Sequence, residues 1–193
     1  TASGGPFLNT SYKKLKKIKI SQALNHPNWR MGKKISIDSA TMMNKVFEVI
    51  EARNIFNISY DKLTILTHPK SYLHAVIKFN NGLIKLILHD TTMKIPIQNT
   101  LYKSQNKFFK SNKLNLNALN NLNLKSISTK KFPIVKILKN LPNKNSLYET
   151  VLVAANDKIV EYYLDGKIMY SQIYPKLWKF INNDEFRKYK RIE

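Results

Sequence analysis

The chain has 193 residues, 43% of them hydrophobic, and no cysteine. That length and apolar content support one ordinary domain or two small ones, and the lack of cysteine excludes a disulfide framework or a thiolate metal site. The formal charge of +21 would suit a polyanion partner, but lysine, asparagine and isoleucine recur everywhere, as drift in an AT-rich genome would produce, and no nucleic-acid-binding signature accompanies them.

Nucleic acid is therefore disfavoured as a partner. No apolar run reaches the roughly 20 residues that a membrane helix needs, so no membrane partner is expected. Thr1 opens the numbering and no signal peptide is recognisable, so the chain is expected to be cut from, or numbered within, a longer one.

TASGGPF (1–7) carries a glycine pair and a proline and reads as a turn. SYKKLKKIKISQAL (11–24) is expected to form one or two short basic helices. HPNWRMGKK (26–34) reads as a loop and KISID (34–38) as a short strand, followed by a helix from about Ala40 to Ile55. Ser39 then falls where strand gives way to helix. Its hydroxyl is expected to cap that helix, beside free N–H groups that form an anion site.

Within this helix Met43, Phe47 and Ile50 recur at helical spacing and are expected to face the core. At about 100° per residue, Asn44 and Glu48 lie within about 40° of each other, with Lys45 about 100° to one side. Periodicity alone reads Lys45 and Glu48 as a surface ion pair. The functional alternative is a phosphate site made by Ser39, Asn44 and Lys45, beside a cation on Glu48 that lets the carboxylate and the phosphate coexist.

KLTILTH (62–68) is rich in β-formers and reads as a strand. YLHAVIKF (72–79) and LIKLILH (83–89) flank Asn80-Asn81-Gly82, which predicts a β-hairpin. From 103 to 131 the chain is biased to Asn, Lys and Leu and reads as a long connection with one irregular helix. Beyond Phe132 the patterns are helical, and Gly166 is a natural helix stop. The expected class is α+β: a mixed catalytic-type domain with a small sheet at 1–103, a linker at 104–131 and a C-terminal helical bundle at 132–193.

TASGGPF, HPNWRMGKKISIDSATMMNK and HPKSYLH resemble, in order, the 1-deoxy-D-xylulose 5-phosphate reductoisomerase family. The likeness is close from Thr1 to about Ile97 and continues faintly at Phe132-Pro133 and at Ala154 to Asn156. It implies conversion of 1-deoxy-D-xylulose 5-phosphate to 2-C-methyl-D-erythritol 4-phosphate, in isoprenoid precursor biosynthesis, with NADPH and Mg2+ or Mn2+. In that family the metal polarises the carbonyl and a held phosphate keeps the substrate positioned while its skeleton rearranges.

The resemblance assigns roles residue by residue. Ser3, His26, Ser39, Asn44 and Lys45 match the phosphate binders. Glu48 matches a metal-ligand carboxylate, and Trp29 matches the aromatic of a mobile flap. Ala2, Asn28, Met31 and Met93 match positions beside the nicotinamide. His74 matches a histidine of the active-site wall, and Lys45, Glu48, His74 and Trp29 form the implied catalytic set. A homodimer is implied too, with the 72–89 hairpin as its edge. So is a bacterial or endosymbiont cytoplasm, with the plastid stroma as the alternative.

Taken without the family, His26 is a loop histidine, Trp29 a half-buried anchor and His74 a sheet histidine. His68 and His89 read as structural and Met42-Met43 as packing. The chain also departs from the family. No G-x-G-x-x-G opens a Rossmann unit, so the NADPH-binding N-terminal domain is expected to be truncated or separate. An Asp and a Glu separated by a Ser, which the family carries just upstream of the TASGGPF segment as metal ligands, are not in the sequence. Val46-Phe47 replaces the usual Gly-Leu, and Thr91-Thr92 replaces Pro-Asp before Met93. Two rival readings follow: an inactive remnant that binds phosphate weakly, and a basic polyanion binder.

Overall fold

The structure is a computed structural model that describes residues 1–26, 31–102 and 112–192. Its elements in chain order are a 3-10 turn (Gly5–Phe7), α1 (Tyr12–Leu15), α2 (Ile20–Leu24), α3 (Lys33–Thr41), α4 (Met43–Phe56), a 3-10 turn (Tyr60–Lys62), β1 (Leu66–Thr67), β2 (Leu73–Lys78) and β3 (Ile84–Leu88). Then come α5 (Lys94–Leu101), α6 (Leu116–Asn120), β4 (Lys125–Ser126), a 3-10 segment (Pro133–Asn140), α7 (Tyr148–Leu164), a 3-10 turn (Tyr170–Gln172), α8 (Ile173–Ile181), α9 (Asp184–Arg187) and a last 3-10 turn (Lys188–Arg191). This is the expected α+β class. No helix among the described residues is long and apolar enough to cross a membrane.

The chain forms two compact units. One is Thr1–Ser3 with Leu66–Ser126; the other is Gly4–Ile65 with Ile127–Glu193. These units are assembled from segments distant in sequence, whereas composition divides the chain in simple order.

In the first unit β2 and β3 pair antiparallel, with Val76 opposite Leu86 and Lys78 opposite Ile84. Gly82 closes the turn at φ 86°, a left-handed value that glycine adopts without a Cβ penalty, and its N–H bonds to the Phe79 carbonyl at 3.0 Å. The predicted hairpin is therefore present. β1 pairs antiparallel with β4. Ala2 bridges Thr67 in parallel, its N–H donating to Leu66 O at 2.8 Å and its carbonyl accepting from His68 N at 2.7 Å.

The strand predicted over 62–68 shrinks to Leu66–Thr67. Lys62 ends a 3-10 turn, and Ile65 is buried, so its β-forming side chain is satisfied by packing rather than by pairing. α5 is an element the sequence reading lacks. Its Pro96 sits in the first helical turn, where a missing N–H loses no intrahelical bond.

The second unit holds the larger core. Ile37, Met43, Val46, Ile137, Leu152 and Leu177 are fully buried. Tyr148 Oη donates to Ile181 O at 2.9 Å, tying α7 to the end of α8. α7 stops at Gly166, φ 73°, as the sequence indicates.

KISID is helix, not strand. The alternation of Ile35 and Ile37 mimics a strand with both isoleucines on one face. In α3 the two residues lie about 200° apart, so Ile35 is exposed and Ile37 buried. Ser36 fixes the start of α3: its N–H and hydroxyl both reach Gly32 O, at 3.1 and 3.0 Å.

Candidate functional site

The site candidates lie around the junction of α3 and α4. Met42 separates the two helices in a left-handed conformation, φ 72° and ψ 11°. Such a conformation costs an L-residue roughly 1–2 kcal/mol. Thr41 secures the bend: its hydroxyl donates to Asp38 O at 3.2 Å and accepts from Met43 N at 3.3 Å. The buried Met42 side chain adds packing. The Met42-Met43 pair is thus structural, and its work is to restart the helix in a new direction.

Ser39 is therefore not a helix cap. It stands inside the last turn of α3, half-buried, and its hydroxyl makes no hydrogen bond among the described residues. Its backbone is pressed by the TASGGPF turn. Gly5 has φ 61°, and a Cβ there would meet the Ser39 carbonyl oxygen at 2.8 Å. Gly5→Ala is expected to combine that clash with the roughly 1–2 kcal/mol of a left-handed L-residue. The melting temperature should fall by about 4–8 °C, taking about 2 kcal/mol for a chain of this size. Thermal unfolding followed by circular dichroism measures it.

The first turns of α4 bring Asn44, Lys45 and Glu48 together. Asn44 Nδ2 donates to Glu48 Oε1 at 2.9 Å. Lys45 Nζ donates to both carboxylate oxygens, at 2.8 and 2.7 Å. The amide and carboxylate predicted to share one face, and the ammonium predicted to one side of them, thus form one hydrogen-bonded cluster, including the ion pair that spacing alone foretells. No acidic residue occupies the first turn of α4, and the hydroxyl of Thr41 accepts from its first N–H, that of Met43.

Val46 is fully buried, so the β-branched residue at the family's usual glycine packs into the core. The core face of α4 is Met43, Val46, Val49, Ile50 and Arg53. Phe47, expected on that face, is half-buried and carries the Lys34 ammonium 5.1 Å from its ring centre.

His26 and Met31 belong to this unit as well, both half-buried. Burial holds the His26 imidazole below its ordinary pKa, toward the neutral form. Asn28 and Trp29 lie outside the described residues. Ser3, Ala2, His74 and Met93 belong to the first unit. Ala2 is buried and woven beside β1, while Met93 is exposed at the start of α5. His74 stacks on His89 with ring centres 3.5 Å apart and planes 6° from parallel. His89, read from sequence as structural, is thus the direct neighbour of the active-site-wall candidate. Strand register brings the two together, and no local pattern announces it.

The sequence reading also passes over a buried polar network behind the site. Asp38 is 2% exposed and Asn156 0%. Asn156 Nδ2 donates to Asp38 Oδ1 at 2.8 Å, and Lys34 Nζ pairs with Asp38 Oδ2 at 2.6 Å and with Asp157 at 2.9 Å. Burial pushes the Asp38 carboxyl above its usual pKa, and these hydrogen bonds partly oppose the shift. The AAN triplet is the one sequence signal for this joint.

Among the described residues no group of three or more His, Asp or Glu side chains is placed to hold a metal ion. Mg2+ prefers octahedral coordination by several oxygens. Glu48 brings one carboxylate, already engaged by Asn44 and Lys45, so the described residues do not make a complete divalent site.

Comparison with known proteins identifies the family of the chain. Residues 1–56 match the model described as the 1-deoxy-D-xylulose 5-phosphate reductoisomerase C-terminal domain. Residues 88–193 match a second, described as the DXP reductoisomerase C-terminal domain. A reductoisomerase of Pelagibacter ubique is 57% identical over all 193 residues, which are 50% of that relative. One from a Sulfurihydrogenibium species is 37% identical over the same span, 52% of its length. A crystal structure of DOX-P reductoisomerase in complex with NADPH, fosmidomycin and magnesium superposes with a TM-score of 0.84 at 32% identity, over 97% of this chain and 46% of the other. The chain spans about half the length of the curated relatives it matches.

Proposed function

The chain belongs to the 1-deoxy-D-xylulose 5-phosphate reductoisomerase family, and from that premise we propose that it supplies the substrate-holding part of that enzyme. The reaction is the NADPH-dependent conversion of 1-deoxy-D-xylulose 5-phosphate to 2-C-methyl-D-erythritol 4-phosphate. The supporting observation is the Asn44–Lys45–Glu48 cluster at the start of α4. Lys45 provides full positive charge to the phosphate, and Asn44 an amide donor. Ser39, His26 and Ser3 are the further donors the family likeness names. A neutral His26, favoured by burial, offers one N–H.

NADPH supplies the hydride, and Ala2, Asn28, Met31 and Met93 are its proposed neighbours here. The family's Mg2+ or Mn2+ needs oxygens beyond Glu48, so no catalytic step is assigned to it from this chain's described residues. His74 and Trp29 are proposed to wall the substrate site and exclude water.

The deciding experiment is NADPH oxidation by the protein expressed from its whole reading frame, with 1-deoxy-D-xylulose 5-phosphate and Mg2+ or Mn2+. Oxidation that requires both substrate and cation is expected. A folded protein that binds inorganic phosphate without turnover would instead establish the inactive-remnant reading.

The homodimer is proposed on the hairpin. Val76, Ile84 and Leu86 share one face, and all three are exposed. A two-stranded ribbon is marginal alone, and an apolar strand edge invites pairing. Leu86→Lys is expected to shift the protein from dimer to monomer in light scattering. A dimer that survives this change removes the hairpin from the interface.

A further inference from the structure

A cavity in the Gly4–Ile65 and Ile127–Glu193 unit contains none of the residues discussed for substrate, cofactor or metal. It encloses about 470 Å³ between α1, the end of α3, the 129–136 segment and the start of α8. That volume is within the roughly 300–1,000 Å³ of small-molecule sites. Its floor is apolar: Leu15, Phe132, Ile134 and Ile173 are all buried. Its wall carries Lys16, Lys130, Lys131 and Lys136 and no aspartate or glutamate.

Lysine is common throughout this chain, so the rim alone decides nothing. Lys131 decides it. This ammonium is partly buried, donates to the Leu8 carbonyl and lies 6.0 Å from the centre of the Phe132 ring. No carboxylate among the described residues pairs with it. Desolvation draws its pKa below the ordinary ammonium value. A cation partly withdrawn from water and given only a neutral carbonyl and a ring face lacks its counter-charge. Tyr170 cannot supply it: its hydroxyl, protonated by burial, is committed to Ala40 O at 2.7 Å.

We propose that this cavity binds an organic phosphate with an apolar body, the body resting on Leu15, Phe132, Ile134 and Ile173 and the phosphate facing Lys131 and the neighbouring lysines. Aromatic and apolar walls with one convergent charged group are the usual composition of such a site. Charge selects the head group, since four ammonium groups and no carboxylate reject a cation of the same shape.

Titration calorimetry on the protein with phenyl phosphate, hexyl phosphate, inorganic phosphate and phenyltrimethylammonium tests the assignment. Beyond any binding that Lys45→Met removes, one equivalent of phenyl or hexyl phosphate should bind at least tenfold more tightly than inorganic phosphate, and the cation should not bind. Lys131→Met should weaken binding at least tenfold, and Lys131→Arg should retain it within about threefold. Ser171→Trp, which fills the cavity from an exposed lining position, should abolish binding while circular dichroism stays unchanged. Lys45→Met should leave it within about threefold, which separates this cavity from the proposed substrate phosphate site. The proposal is overturned if the cation binds equally well, if Lys131→Met and Ser171→Trp both bind like the unaltered protein, or if Lys45→Met is the change that removes binding.

Discussion

Lys45→Met is expected to lower kcat/KM for 1-deoxy-D-xylulose 5-phosphate by at least about 100-fold, equivalent to about 2.7 kcal/mol of lost stabilisation. One charge-assisted hydrogen bond is worth about 1.5–3 kcal/mol, and Lys45 is the full charge in the proposed phosphate set. Glu48→Gln separates binding from catalysis. Glu48 now holds the Lys45 ammonium through both oxygens, at 2.8 and 2.7 Å. A phosphate must compete for that ammonium, and removing the carboxylate's charge removes the competitor. Inorganic phosphate, titrated without a divalent cation, should therefore bind about 1.5–5-fold more tightly to Glu48→Gln, while turnover falls. A few tenths of a kcal/mol is typical of such a helical pair, and up to about 1 kcal/mol of an exposed ion pair, which sets that range. Lys45→Met should abolish this site's share of phosphate binding in the same titration, leaving only the weaker binding at the Lys131 cavity. Unchanged turnover in Lys45→Met would remove the residue from the site.

Asn156→Ala is expected to be the largest stability loss, about 3 kcal/mol. It deletes a 2.8 Å hydrogen bond to the buried Asp38 carboxylate, worth about 1.5–3 kcal/mol for a charged partner, and leaves a small cavity. The melting temperature should drop by about 6–12 °C for a chain of this size. Asp157→Asn is the control. Its contact with Lys34 is exposed, so its effect should stay within about 0.5 kcal/mol.

The pH dependence has a definite sign. Burial already places the folded Asp38 pKa above its ordinary 3.8, so the ionised carboxylate costs stability at neutral pH. Losing the Asn156 donor raises that pKa further. The deficit of Asn156→Ala should then be greatest at neutral pH and narrow as pH falls through the raised value toward 3.8. Denaturant unfolding at several pH values measures it. A deficit constant with pH would mean that the loss is packing alone.

Local chemistry writes some of this protein plainly. Asn80-Asn81-Gly82 between two β-branched runs specifies the hairpin. Gly166 ends α7, and the spacing of Asn44, Lys45 and Glu48 places three polar groups on neighbouring positions of one helix. These features depend on residues within a few positions of each other, so periodicity and turn chemistry suffice. The family likeness names the site residues but not their geometry.

Tertiary packing decides the rest. KISID has a strand's alternation, yet it is helical, because burial of Ile37 and Ala40 against the second unit's core outweighs a weak local preference. The left-handed Met42 follows, and with it the move of Ser39 from an expected cap into the last turn of α3. Gly5 against Ser39, His89 against His74, and Asn156 against Asp38 join residues far apart in the chain, the last pair by 118 positions. A sequence pattern reports which face a residue prefers. Only the folded chain fixes which distant face it meets, because that choice minimises buried, unpaired polar groups across the whole core.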